Sequence, residues 1–287
     1  MNQVYLTAKR YWQLETRLSE RDLEVIRRVA GLRFVSGQQL TRLCFADGAD
    51  QLSAARTARR VLLRLTSLGV LNRLNRRVGG VRAGSAGFVY YLGPYGQRMA
   101  VARDWQPERR IRRSLEPGTL FVRHSLAISE LHTRLIETDR SARFELLELT
   151  PEPSCWRSFD GLGGQRQTLK PDSYVRLGLG DYEDSYFIEL DRGSEGSRAL
   201  NRQLESYIAY HRSGAEQAQR GVFPRVLWLV PSEQRKAAVV DCLARLPAES
   251  WQLFQVSLLD AAIATITKSE TLDSPKQTAE ARGKIYE

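Results

Sequence analysis

Three carboxylates stand where a β-strand would ordinarily carry Val or Ile. Asp172, Glu189 and Asp191 lie in the stretch LKPDSYVRLGLGDYEDSYFIELDRGSEGSR, residues 169–198. Asp172 follows a proline at the start of one apolar run, and Glu189 and Asp191 close the next. Side chains alternate along a strand, so Glu189 and Asp191 face the same way; a hairpin pairing would bring Asp172 near them. Carboxylates gathered on one sheet surface repel unless a proton or a cation intervenes. Such an oxygen set suits Mg2+ or Mn2+, ions that activate water and stabilise charge on a phosphodiester. The competing reading is three solvated acids at ordinary strand ends.

The elements around this stretch must position it. Residues 119–139 read as a helix, with Leu126, Leu131 and Leu135 among its apolar positions, and ARFELLEL (142–149) as a strand. A loop with Pro151, Pro153 and the glycines of DGLGGQ leads to the two acid-bearing strands. GSRALNRQLESYIAYHRSG then reads as a helix stopping at Gly214. RVLWLVPS follows as a buried-type strand, EQRKAAVVDCLARL as a helix and WQLFQVSLL as a last strand. This order predicts a mixed sheet covered by helices over residues 116–265. The polar segment 266–287 has no periodicity and reads as a disordered tail.

The net charge of +10 divides unevenly. Residues 1–115 hold 22 Lys/Arg against 8 Asp/Glu, a net of +14, whereas 116–287 hold 21 against 25, a net of −4. A basic excess confined to one part fits a polyanion-binding module joined to something else. Three helices are predicted there. SERDLEVIRRVAGL opens on Ser19 with Asp22 at capping-box spacing, and SGQQLTRLCF repeats the device with Ser36 and Gln39. SAARTARRVLLRLTSLG starts at Ser53 and stops at Gly69. Two β-rich runs follow, joined by the glycine-rich GGVRAGSAG. Helix, helix, arginine-bearing helix and basic hairpin is the order of a winged helix-turn-helix, whose third helix enters the major groove. The candidate contacts to double-stranded DNA are Ser53, Arg56, Thr57, Arg59, Arg60 and Arg64 on that helix, and Arg76, Arg77 and Arg82 on the hairpin. PYGQRMAVARDW closes the domain as a short helix, and QPERRIRRSLEPG is a charged linker. The fold class is therefore α+β in two domains, 1–115 and 116–265.

Other chemistries find little support. His124 and His132 are eight residues apart, which is not a helical metal spacing, and His211 reads as packing. There is no GxxxxGK[ST] loop, and GLGGQ lacks the strand–helix unit of a dinucleotide site. Cys44, Cys155 and Cys242 are too dispersed for a disulfide framework or a CxxC knuckle. Apolar runs such as VLWLV are far short of a membrane span, and the N-terminal residues lack a signal-peptide core, so the expectation is a cytoplasmic protein with no membrane partner.

Pro171–Asp172 followed by Ile188–Asp191, behind a helix and with three strands, resembles the PD-(D/E)xK nuclease core. More closely, LKPDSYVRL and FIELDRG behind a winged helix resemble the replication-relaxation family of plasmids and other mobile elements, some of whose relatives are conjugative relaxases. The resemblance spans most of residues 20–260. It implies Asp172 and Glu189 as metal ligands and Glu130, on the preceding helix, as a further acid of the site. It also implies mobile-element proteins or a second copy as partners. One departure matters: the position of the motif lysine is Asp191. The following helix offers only Arg198, Arg202 and Gln203 in its place. An acid there either adds a metal ligand or marks a nuclease-like domain without catalysis. Two functions stay open on this reading. One is metal-dependent nicking of DNA in replication, relaxation or mobilisation. The other is a non-catalytic DNA-binding regulator or replication accessory factor whose second domain mediates dimerisation or partner contacts.

Overall fold

The computed structural model describes residues 8–46, 50–74, 87–105, 117–161, 163–193 and 195–267. The chain divides into two compact units, Met1–Thr133 and Arg134–Glu287. The expected domain limit at 115 and the tail predicted from 266 fall largely or wholly outside the described residues, as do Arg76, Arg77, Arg82 and the charged linker.

In the first unit α1 (Ala8–Glu15) precedes α2 (Glu20–Leu32), which begins as its sequence predicts. Ser19 caps the Asp22 N–H while the Asp22 carboxylate accepts from the Ser19 N–H at 2.8 Å. A two-residue strand β1 (Val35–Ser36) leads into α3 (Gly37–Cys44), whose capping box joins Ser36 and Gln39. Next comes α4 (Gln51–Ser67), followed by β2 (Leu71–Arg73), β3 (Val89–Leu92) and α5 (Pro94–Ala102). The strands form an antiparallel sheet in the order β1-β3-β2. Gly69, at φ +71, makes the left-handed stop after α4 that the sequence predicts. The start of α4 differs from expectation. Asp50, not Ser53, is the N-cap, its carboxylate accepting from the Leu52 and Ser53 N–H groups at 2.8 and 3.1 Å. Ser53 lies inside the first turn, because the better-placed carboxylate three residues earlier already satisfies the open N–H groups.

The limit between the units falls within α6 (Thr119–Arg140). In the second unit β4 (Glu145–Pro151) is followed by β5 (Arg157–Asp160) and β6 (Arg166–Leu169). These two pair antiparallel with each other where a loop was expected. Then come β7 (Ser173–Leu179) and β8 (Tyr182–Leu190), joined by a two-residue turn with Gly180 at φ +62. After them follow α7 (Ser197–Ser213), α8 (Ala215–Arg220), β9 (Arg225–Val230), α9 (Glu233–Leu243), β10 (Phe254–Leu258) and α10 (Ala262–Thr267). Five strands form one mixed sheet in the order β10-β9-β8-β7-β4. In it β8, β9 and β10 run parallel and β7 is antiparallel to both β8 and β4. β9 is apolar from Val226 to Val230 because both its edges and both its faces are covered there. Tyr174, Phe187, Val226, Trp228 and Val230 pack on Leu200, Leu204 and Tyr207 of α7 and on Val239 of α9.

Candidate functional site

The predicted hairpin forms, and it brings two of the three acids together. Ser173 of β7 pairs with Ile188 of β8, placing Asp172 one residue before the first pair. The Asp172 N–H donates to the Ile188 carbonyl at 3.1 Å, and its carboxylate accepts the Leu190 N–H at 2.7 Å. Glu189 points from β8 towards α7 and is 4% exposed. One of its oxygens accepts from the Tyr207 hydroxyl, the other from the Gln203 amide at 2.7 Å. Burial first, and the Asp172 carboxylate second, hold the Glu189 carboxyl well above the usual glutamate range. Tyr207 is likewise pushed up, by burial and then by Glu189. Among the described residues, the charged groups that act most on Glu189 are acids, Asp172 and then Glu195, and its hydrogen-bond donors Tyr207 and Gln203 are neutral. Such a pocket is short of positive charge, which either a retained proton or a cation corrects.

Asp191 stands apart from that pair. β8 ends at Leu190, and the Asp191 carboxylate is taken by Arg235 of α9 at 2.8 Å, with further hydrogen bonds from the Trp228 indole at 3.3 Å and the Gly193 N–H at 2.6 Å. A paired carboxylate with three sets of donors is not placed as a third ligand. Among the described residues, no three His, Cys, Asp or Glu side chains converge as a metal-binding group. Glu130 belongs to the first unit, where it accepts from Arg42 at 2.6 Å and Gln39 at 3.0 Å. Lys170 lies over the Trp156 ring, 5.1 Å from its centroid. The Cys155 thiol is buried beside this strand end, donates to the Pro171 carbonyl at 3.0 Å, and is pushed up by burial.

Sequence points to Gln203 only as a stand-in for the motif lysine, and not to Tyr207. Their spacing of four on a helix places both on one face, and Tyr207 is fully buried, so the two form a clamp on one carboxylate. The signal that could have found them is a Gln and a Tyr, one turn apart, on the helix directly after an acid-ended strand.

The basic candidates on α4 separate into two groups. Arg56, Arg59 and Arg60 are exposed and make no ion pair or hydrogen bond among the described residues. Arg64, by contrast, pairs with Asp22 of α2 at 2.5 Å. Burial pushes Asp22 up, but the hydrogen bonds from Arg64 and Ser19 outweigh it and leave the carboxyl below its usual range. Arg64 thus ties α4 to α2 while its side chain stays 42% exposed. Ser53 is exposed and Thr57 half-buried on the same helix. α4 carries no acidic residue at all.

The architecture defines a mixed α+β protein: a helical unit with a small sheet and an exposed arginine-bearing helix, and a unit whose five-stranded sheet holds a buried acid pair. The chain belongs to the replication-relaxation family, whose model matches residues 26–226, more than half of its length. No curated protein matches it. Among solved structures, restriction endonuclease FokI bound to DNA aligns at 13% identity, over 91% of this chain and 45% of that one, with a TM-score of 0.24. This chain thus spans less than half the length of that protein, and the likeness is too slight to define the fold. Among the described residues, no helix is long and apolar enough to cross a membrane.

Proposed function

We propose that this replication-relaxation protein binds duplex DNA through a winged helix built from α2, β1, α3, α4 and the β2–β3 pair. It then acts in the replication, relaxation or mobilisation of a plasmid or other mobile element. The observation that carries this reading is the outer face of α4. Arg56, Arg59 and Arg60 stand there unpaired among the described residues, on a helix without acids, in a part of the chain with a net charge of +14. Exposed guanidinium groups on a helix that follows α2 and α3 suit phosphate and guanine edges alike.

For the second unit, the succession α6, β4, β7, β8, α7, β9 with Asp172 and Glu189 at adjacent strand ends supports a PD-(D/E)xK-like site. The acid pair fits one divalent ion, Mg2+ or Mn2+, with water and phosphate oxygens completing a coordination shell of which carboxylates are commonly only one or two. When bound, the ion would supply an acidified water and charge neutralisation at a phosphodiester. Gln203 and Tyr207 would hold the Glu189 carboxylate in place, and the Leu190 N–H would orient Asp172. A second reading, a DNA-binding accessory protein with a silent nuclease-like unit, is favoured by one contact. Asp191, at the position of the motif lysine, is bound to Arg235.

Fluorescence anisotropy on duplex DNA tests the first unit. An Arg56→Ala, Arg59→Ala, Arg60→Ala variant should bind more weakly and flatten the slope of log K against log salt by about 0.9 for each phosphate that is no longer neutralised. An unchanged slope would remove α4 from the interface. For the second unit, MnCl2 should raise the melting temperature of the wild type and support nicking of supercoiled plasmid, with both effects lost in Asp172→Asn and Glu189→Gln. Tight DNA binding without nicking would establish the accessory reading, and nicking that survives both substitutions would remove the acid pair as its source.

A further inference from the structure

The arginines of α4 account for attraction to a polyanion, yet they share their face with two leucines. Leu52 is 71% exposed and Leu63 is 68% exposed. With 3.6 residues per turn, Leu52, Arg56, Arg59 and Leu63 fall in one stripe, opposite the buried Ala54, Ala58, Leu62 and Leu65. A single exposed leucine needs no account. Two of them, aligned with unpaired arginines in the middle of a charged face, mark a surface that meets something both anionic and partly apolar.

Charge selects the occupant. A second copy would bring the same arginines against one another, and α4 has no carboxylate to meet them. Duplex DNA supplies the anion, and its major groove offers one apolar base feature, the C5-methyl group of thymine. Leu52 is the second residue of α4, in the first turn, where a recognition helix reaches base edges. Leu63 lies three turns further on, about 16 Å along the axis, beyond the same base pairs.

We propose that Leu52 reads a thymine methyl group in the major groove, with Arg56 one turn later addressing a guanine a few base pairs away. This rests on the DNA-binding reading above and narrows it to duplex sites in which one thymine is recognised through its methyl group.

The test begins with selection of sites from a randomised duplex library by the full-length protein. Each thymine of the selected site is then replaced by uracil, which removes only the methyl. Wild type should lose roughly fourfold in affinity at one position, the worth of one buried methyl group. Leu52→Ala should bind thymine and uracil duplexes equally there while keeping the wild-type salt slope, and Leu63→Ala should retain the thymine preference. Equal affinity for uracil at every position would overturn the proposal, as would a thymine preference that survives Leu52→Ala. A change of oligomeric state in Leu52→Ala, with base preference intact, would also overturn it and assign the face to a second copy. Absence of any duplex binding by the wild type would instead remove the DNA-binding reading on which the proposal stands. Because Leu52 is exposed, the variant should fold with an unchanged melting temperature, which the same preparation verifies.

Discussion

Glu189 is an acid in an apolar environment, and its consequences are measurable without any ligand. Its folded carboxyl keeps a proton at pH values where the unfolded chain has released it, because burial and Asp172 oppose the charge. Stability should therefore fall as pH rises from the ordinary glutamate range towards the folded value, by up to about 1.4 kcal/mol per pH unit within that window. Glu189→Gln removes the titration while keeping the shape. In the absence of divalent ions it should melt higher than wild type at alkaline pH and match it near pH 4, as thermal denaturation across pH would record. Parallel pH curves for the two proteins would show that the carboxyl does not resist ionisation. Of this site, sequence disclosed Asp172 and Glu189 because strand acids after a proline and before a turn are locally conspicuous. It did not disclose that Asp191 belongs to Arg235, a partner 44 residues away, nor that Tyr207 and Gln203 close on Glu189. Those contacts exist only once α7 and α9 cover the sheet.

At the scale of elements, the tie between α2 and α4 has the clearest energetic content. Asp22 is 1% exposed and completes the capping box of α2 with one oxygen while holding Arg64 with the other, so Asp22→Asn removes the negative charge and leaves one acceptor for two roles. Its cost at neutral pH should be about 1–2 kcal/mol, below that of a fully buried pair because the Arg64 side chain is 42% exposed. Since the folded Asp22 carboxyl sits below its usual range, that stability is present above the unfolded pKa and is lost as pH falls through the folded one. The wild type and variant should thus converge in acid. Chemical denaturation at neutral and acid pH checks both statements. The capping boxes at Ser19 and Ser36 and the glycine stops at Gly69 and Gly214 were readable because each is completed within a few residues. The start of α4 was not, since Asp50 and Ser53 are both good caps three residues apart and only their geometry chooses. The β5–β6 pair escaped because its residues are mostly polar. Phe159 and Leu169 alone face the core, and the intervening glycines read as a loop.

The whole molecule combines opposite electrostatic characters, with a strongly basic first part and a mildly acidic remainder, so salt should govern the proposed encounter with DNA more than the folding. The sheet of the second unit has a different vulnerability. β9 lies between β8 and β10, and β10 is the last strand in the chain among the described residues. A chain ending at Leu253 would leave Val226–Val230 as an open apolar edge and should aggregate on size-exclusion chromatography, whereas one ending at Thr267 should remain monodisperse; monodisperse behaviour of the shorter chain would show that β10 is dispensable. The same geometry sets a hazard during synthesis. A ribosome adding about 5–20 residues per second completes Val230 roughly 1–6 s before it completes Leu258. Through that interval the nascent chain carries VLWLV without its covering strand, a stickiness in time rather than in space, and the moment at which a holding chaperone would serve it best.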